Sequence, residues 1–199
     1  MLEAPEVEAH RHRTGHSKLD LILGALAIFL SCVSVFIAVR HGQTMEKLVA
    51  ANTWPNLTYS TSNEAPDGTA RISFDITNTG VGPARIESFE VFYKDTPMAS
   101  LEQLHFACCS PDHKARANYS QSTVLDNVLP ARESISFFTL RREQNTAPVW
   151  DLLDKERHNV RVRACYCSVF DECWVLDSTK RRPERVDQCT PSQPIEFTQ

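Results

Sequence analysis

The chain has 199 residues, a formal net charge of −4 and seven cysteines. Beyond Val39, 18 Lys and Arg stand against 21 Asp and Glu. That balance implies no basic face and gives nucleic-acid binding no electrostatic support.

Residues 1–18 form a polar tail with no hydrophobic period, expected to be disordered and cytoplasmic. Its histidines, His10, His12 and His16, are read as solvated rather than metal-binding. Leu21 to Val39 is the strongest signal in the chain. It is free of charge, flanked by Asp20 and Arg40, and as a helix would be roughly 28 Å long, close to the thickness of a bilayer's hydrocarbon core. It is predicted to be a transmembrane helix within 19–41 that makes the lipid bilayer a partner of the chain. A cleaved signal peptide would want a shorter apolar core and small residues before a cleavage site. Arg11, Arg13 and Lys18 precede the run, and Arg40 and Lys47 follow it. This small excess favours a cytoplasmic N-terminus and a domain outside the cytoplasm.

Residues 42–53 have helical composition and read as a stalk that Pro55 ends. Trp54 is expected to be the first core residue of a domain over 54–182, and Asn56 to Ser60 its first strand. In Arg71 to Thr77 apolar and polar residues alternate strictly, the mark of a half-buried strand. Asn78 to Pro83 reads as a turn, and Ala84 to Tyr93 as the hairpin partner of that strand. A short helix is expected over Met98 to Ala107, then a polar loop to Ser122. Strands follow at Val124–Leu129 and Ser134–Leu140. Pro148 opens a second helix running to Arg157. Val160 to Phe170 and Cys173 to Leu176 close the pattern, and 183–199 reads as a C-terminal tail tied by Cys189. The expected fold is mainly β: an antiparallel β-sandwich with two short helical inserts, preceded by one N-terminal transmembrane helix.

Cys32 lies in the apolar run. The other six cysteines, Cys108, Cys109, Cys165, Cys167, Cys173 and Cys189, are the disulfide candidates, an even number that suits an oxidising compartment. Period two puts Cys165 and Cys167 on the polar face of their strand, with Arg161 and Arg163. Cys173 returns on the neighbouring strand, so Cys167–Cys173 is the first pairing expected. Cys189 would pair with Cys165, Cys108 or Cys109, and the adjacent Cys108 and Cys109 are expected to take different partners. Thiolate sets for a metal or a thiol sensor can be drawn from Cys165, Cys167, Cys173 and Cys189, and from His105, Cys108, Cys109 and His113. Zinc ribbons use Cys-x2-Cys knuckles, however, and none occurs here.

Chemistry is otherwise sparse. There is no nucleophile elbow, no phosphate-binding loop and no His-Glu-x-x-His. His105, His113 and His158 have no evident nucleophile partner. Asp171–Glu172 and Asp151 with Asp154 read as solvated carboxylates. Catalytic, cofactor and metal residues are therefore not assigned. Asn56 and Asn118 open glycosylation sequons that matter only in a eukaryotic secretory setting.

The order membrane helix, Trp54-Pro55, Asn78-x-Gly80-x-Gly82-Pro83-Ala84, Leu129-Pro130, then Tyr166 to Trp174 with Val186 and Cys189, resembles a group of uncharacterised bacterial proteins. These carry one membrane helix and an extracytoplasmic β-sandwich of immunoglobulin or fibronectin type. The resemblance implies fold and a place in the bacterial inner membrane with the domain periplasmic; it brings no activity and no functional residues. The function expected is a structural module or one that binds a protein or envelope component. The alternative is metal or thiol-redox sensing by the Cys165, Cys167, Cys173 and Cys189 cluster.

Overall fold

The computed structural model describes residues 17–110, 116–190 and 197. All but the end of the expected disordered tail falls outside them, as does His113. The chain divides into two units, one ending at Leu48 and one beginning at Val49.

The helix α1 runs unbroken over Ser17–Asn52, 36 residues, or about 54 Å at the rise of an α-helix. Its residues from 18 to 49 are exposed, apolar ones included. The hydroxyls of Ser31 and Ser34 donate back to the carbonyls of Ala27 and Leu30, so neither needs water. A helix this long and apolar near the N-terminus fits a membrane anchor or a signal sequence.

The second unit holds two antiparallel sheets. Their strands are β1 (Leu57–Glu64), β2 (Ala70–Asn78), β3 (Ala84–Tyr93), β4 (Thr96–Met98), β5 (Tyr119–Gln121), β6 (Val128–Leu129), β7 (Ser134–Arg141), β8 (Val160–Cys167), β9 (Cys173–Asp177) and β10 (Glu184–Val186). One sheet has the order β1-β2-β7-β5, the other β10-β9-β8-β3-β4 with β6 also paired to β3. Two helices, α2 (Leu101–Cys109) and α3 (Ala147–Glu156), complete the unit. Helix and strand are about equally represented, because α1 alone supplies 36 residues. The expectation of a mainly β chain is corrected to that extent.

The two sheets share one core. Ile72, Phe74 and Ile76 alternate into it from β2, and Phe89, Val91, Val162, Ala164 and Tyr166 from β3 and β8. A register shift sets Phe74 opposite Phe138 but Asp75 opposite Ser136. Phe137 is the extra residue, and this bulge lets Phe137 and Phe138 both turn inward. The Phe137 ring then meets Phe89 of the other sheet edge-on at 5.1 Å between centroids. Ser100 caps α2 by accepting from the Gln103 amide. The two helices bury Leu104, Trp150 and Leu153 in the same core.

Expectations about the chain path are corrected at several points. The strands flanking Asn78–Pro83 are not a hairpin, because β2 pairs with β1 and β7 while β3 pairs with β8, β4 and β6. The turn crosses between sheets. Only Val128–Leu129 of the strand expected over Val124–Leu129 is extended. Strand β4 takes Met98, expected as the first residue of the helix, and β5 lies in the expected polar loop; both are short, with Met98 buried in the core and Tyr119 packed against it. Residues 184–186, read as tail, form the edge strand β10, and Phe197 returns to the core with its ring 6.0 Å from Phe89.

Candidate functional site at the turn end of the domain

The register fixes which turns share an end. Leu57 opposes Asn78, Thr77 opposes Ser134, Ala84 opposes Leu129, Arg85 opposes Cys167, and Cys167 opposes Cys173. Residues 53–56, the 79–83 crossing, the 130–133 turn and the β8–β9 turn therefore lie together.

Asn78 is the fastener of this end. It is fully buried. Its Nδ2 donates to the carbonyls of Gly82 and Leu129, and its Oδ1 accepts from the Gly80 and Asn56 amides. The Trp54 carbonyl accepts from the Val81 and Gly82 amides at 3.0 and 3.2 Å. A Cβ at Gly80 or Gly82 would overlap the backbone of residues 53–56, so close backbone approach, not a hairpin, explains this glycine pair.

The β8–β9 turn is equally defined. The Ser168 amide donates to the Glu172 carbonyl at 2.8 Å and the Asp171 amide to the Ser168 carbonyl at 3.2 Å. Asp171 takes a positive φ of 58°, which an aspartate tolerates, giving a three-residue hairpin loop. Cys167 and Cys173 face each other across its neck with Cα atoms 4.0 Å apart and are bonded. Arg85 Nη2 lies 2.9 Å from Asp171 Oδ1, and Arg185 reaches Glu172 at 2.6 Å. The Asp171–Glu172 pair is thus engaged in ion pairs.

This end is apolar at its surface. Among the described residues beyond α1, the exposed large hydrophobics are Trp54 (48%), Val81 (55%), Val128 (54%), Leu152 (41%), Val169 (48%) and Phe170 (53%). All but Leu152 sit here. Backbone and register place them near one another: the Val81 amide donates to the Trp54 carbonyl, and Arg85, the cross-strand partner of Val128, pairs with Asp171 of the β8–β9 turn. Trp54, expected in the core, is half exposed, because its carbonyl rather than its ring is what the crossing grips. Beside Trp54 a cleft of about 570 Å³ opens along the β1 edge, walled also by Tyr59, Trp174, Lys180, Arg181 and Arg182. Lys180 is paired with Glu184 at 2.7 Å. Burial pushes the Tyr59 phenol up and raises that of Tyr166 to about 12, so both stay neutral at physiological pH.

The cysteine candidates divide into two places. Cys165 and Cys167 lie on the face of β8 away from the core, yet are buried, because Cys189 reaches Cys165 and bonds to it. The Sγ atoms of Cys167, Cys173 and Cys189 lie within 4.8 Å of one another, but sulfurs bonded to sulfur are not the thiolates a metal needs. At the end of α2, Cys108 and Cys109 are bonded to each other. The expectation of different partners for these two is corrected: both are buried under the helix end, away from the β8–β9 cluster, and each is the other's nearest sulfur. His105 is buried on α2, His158 lies in the 157–159 turn, and Asp154 pairs with Arg157 at 3.1 Å.

No protein-family model matches this chain. No curated protein and no solved structure matches it either.

The turn end offers half-exposed apolar side chains on fastened backbone, with Arg85, Asp171, Glu172 and Arg185 ion-paired beside them. Sequence reading missed Val81, Val128, Val169 and Phe170 as a group. The signal was their apolar character in turns or, for Val128, in a two-residue strand beside one, where polar residues are the rule.

Proposed function

We propose that the chain is a single-pass membrane-anchored β-sandwich that presents a protein-docking surface in the bacterial envelope. The observation that carries the docking reading is the gathering of Trp54, Val81, Val128, Val169 and Phe170 at one end. Exposed apolar side chains gathered at one end of a domain are a mark of interaction sites. The apolar α1, the Lys/Arg bias and the even count of domain cysteines support an anchor with the domain outside the cytoplasm. The resemblance to extracytoplasmic β-sandwich proteins agrees with this placement. A protein partner is preferred to a small molecule because four of the five hydrophobics, all but Trp54, lie outside the lining of the cleft.

The test is position-dependent photocrosslinking in cells. A photoreactive side chain at Phe170 or Val81 is expected to capture the same partner, and one at Asp67, in the β1–β2 turn, to capture none. Equal capture from Asp67, or none from Phe170 and Val81, overturns the docking reading. Orientation is tested separately with a membrane-impermeant maleimide: labelling of the domain only after reduction, on intact inner membranes, is the expected result. Labelling without reduction, and only after lysis, overturns it.

A further inference from the structure

The two disulfides of the β8–β9 region touch. Cys189 Sγ, bonded to Cys165, lies 3.7 Å from Cys167 Sγ, which is bonded to Cys173. That is van der Waals contact between sulfurs of different bonds. Of the four residues, Cys165, Cys167 and Cys173 are buried and Cys189 is partly exposed. Attack from solvent therefore enters at Cys189. An acceptor already stands beside Cys173, the Asp171 carbonyl at 3.5 Å from its Sγ.

We infer that Cys167–Cys173, the staple at the neck of the apolar turn, is exchangeable, and that Cys189 is the sulfur that displaces Cys173 from it.

The chemistry balances with a dithiol as reductant. One thiolate of the dithiol attacks Cys189 Sγ, and Cys165 leaves as thiolate and takes a proton. The dithiol's second sulfur closes its own disulfide and releases Cys189 as thiolate. Cys189 then attacks Cys167 Sγ, the Cys167–Cys173 bond breaks, and Cys173 leaves and is protonated. The dithiol has lost two electrons. The chain has gained two thiols, Cys165 and Cys173, and now holds a Cys167–Cys189 bond. The C-terminal segment is released from Cys165 and then retied to β8 at Cys167, while the turn carrying Val169 and Phe170 loses its covalent neck and keeps its hydrogen bonds and the Arg85–Asp171 and Arg185–Glu172 ion pairs.

The consequence for binding rests on the docking reading; the exchange itself rests only on the disulfides. The test uses the full chain in its membrane, treated with limiting dithiothreitol, quenched in acid, alkylated and mapped by peptide mass spectrometry. Chains reduced by one dithiol equivalent are expected to carry alkyl groups on Cys165 and Cys173 and a Cys167–Cys189 link. Alkylation of Cys165 and Cys189 with Cys167–Cys173 intact overturns the inference. A Cys165→Ser chain gives the second arm. It is expected to show both Cys167–Cys173 and Cys167–Cys189 isomers, interconverting faster at pH 8 than at pH 6. A single isomer that never exchanges overturns it. Six free domain thiols before any treatment would overturn the disulfide frame and the inference together. Exchange without any change in crosslinking from Val81 would sink only the redox control of docking.

Discussion

The two ends of the β domain are closed by the same strands and dressed oppositely. At the end opposite the apolar turns, the β3–β4 corner carries Lys94 and Asp95. Lys94 pairs with Glu156 at 3.0 Å, and Asp95 with Arg161. The β1–β2 turn nearby carries Asp67, whose carboxylate accepts from the Thr69 amide and hydroxyl and is held below its ordinary range by those bonds. This is the usual dress of a turn that meets only water. The end bearing Trp54 and Phe170 departs from it while being more tightly fastened, by Asn78 and by a disulfide. Apolar side chains on loose loops would collapse onto the domain; on fixed turns they remain presented. The contrast is what motivates placing the proposed docking surface at the apolar end.

The largest effect should come from removing the fastener. Asn78→Ala strands the Gly80 and Asn56 amides and the carbonyls it serves, and is expected to destabilise the domain by about 3 kcal/mol or more in denaturant unfolding. A loss below about 1 kcal/mol would mean the turn end is held by other contacts. Next, Cys167→Ser with Cys173→Ser opens a short loop and is expected to cost about 2 kcal/mol. Faster hydrogen exchange should be confined to 168–172, and the Lys94 corner should be unaffected.

A smaller effect, at the charged end only, should follow pH. Hydrogen bonds from Tyr93 Oη, Lys94 and Asn159 hold Glu156 down at about 2, from an ordinary value of 4.5. A carboxylate depressed in the folded state contributes stability that is fully present above pH 4.5 and is lost as pH falls from 4.5 through 2. Glu156→Gln should flatten that part of the acid-unfolding profile and leave stability at pH 2 little changed. An unchanged profile would show that the contact is solvent-screened to nothing. The smallest stability effect belongs to Phe170→Ser and Val169→Ser, expected within about 0.5 kcal/mol of the parent because both side chains are exposed. Yet these two should abolish capture of a partner from Val81. Stability loss above about 1 kcal/mol would show instead that the turn packs onto the domain.

Local pattern made much of the β domain legible. Alternation along Arg71–Thr77 identified a strand with one buried face, and period two placed Cys165 and Cys167 on the same side of β8, away from Tyr166. A five-residue connection to Cys173 brought Cys167 and Cys173 opposite each other. What misled was adjacency. Two good strands joined by Asn78–Pro83 looked like a hairpin, because nothing local shows that Asn78 will be buried against residues 129–130 or that Gly80 and Gly82 will lie against the backbone of residues 53–56. Adjacent Cys108 and Cys109 looked destined for different partners. Their isolation from the β8–β9 sulfurs under the end of α2 is a fact of packing.

The sequence by itself determined the apolar helix, the strand periods and the hairpin neck, because each depends on residues within a few positions of one another. Only the tertiary structure decided which sheet each strand joined, that Cys189 would come to 3.7 Å from Cys167, that Phe197 would enter the core, and that five exposed hydrophobics would share one end. Those outcomes depend on contacts between residues far apart in the chain. Their energies arise only when the core closes, and no local window contains both partners.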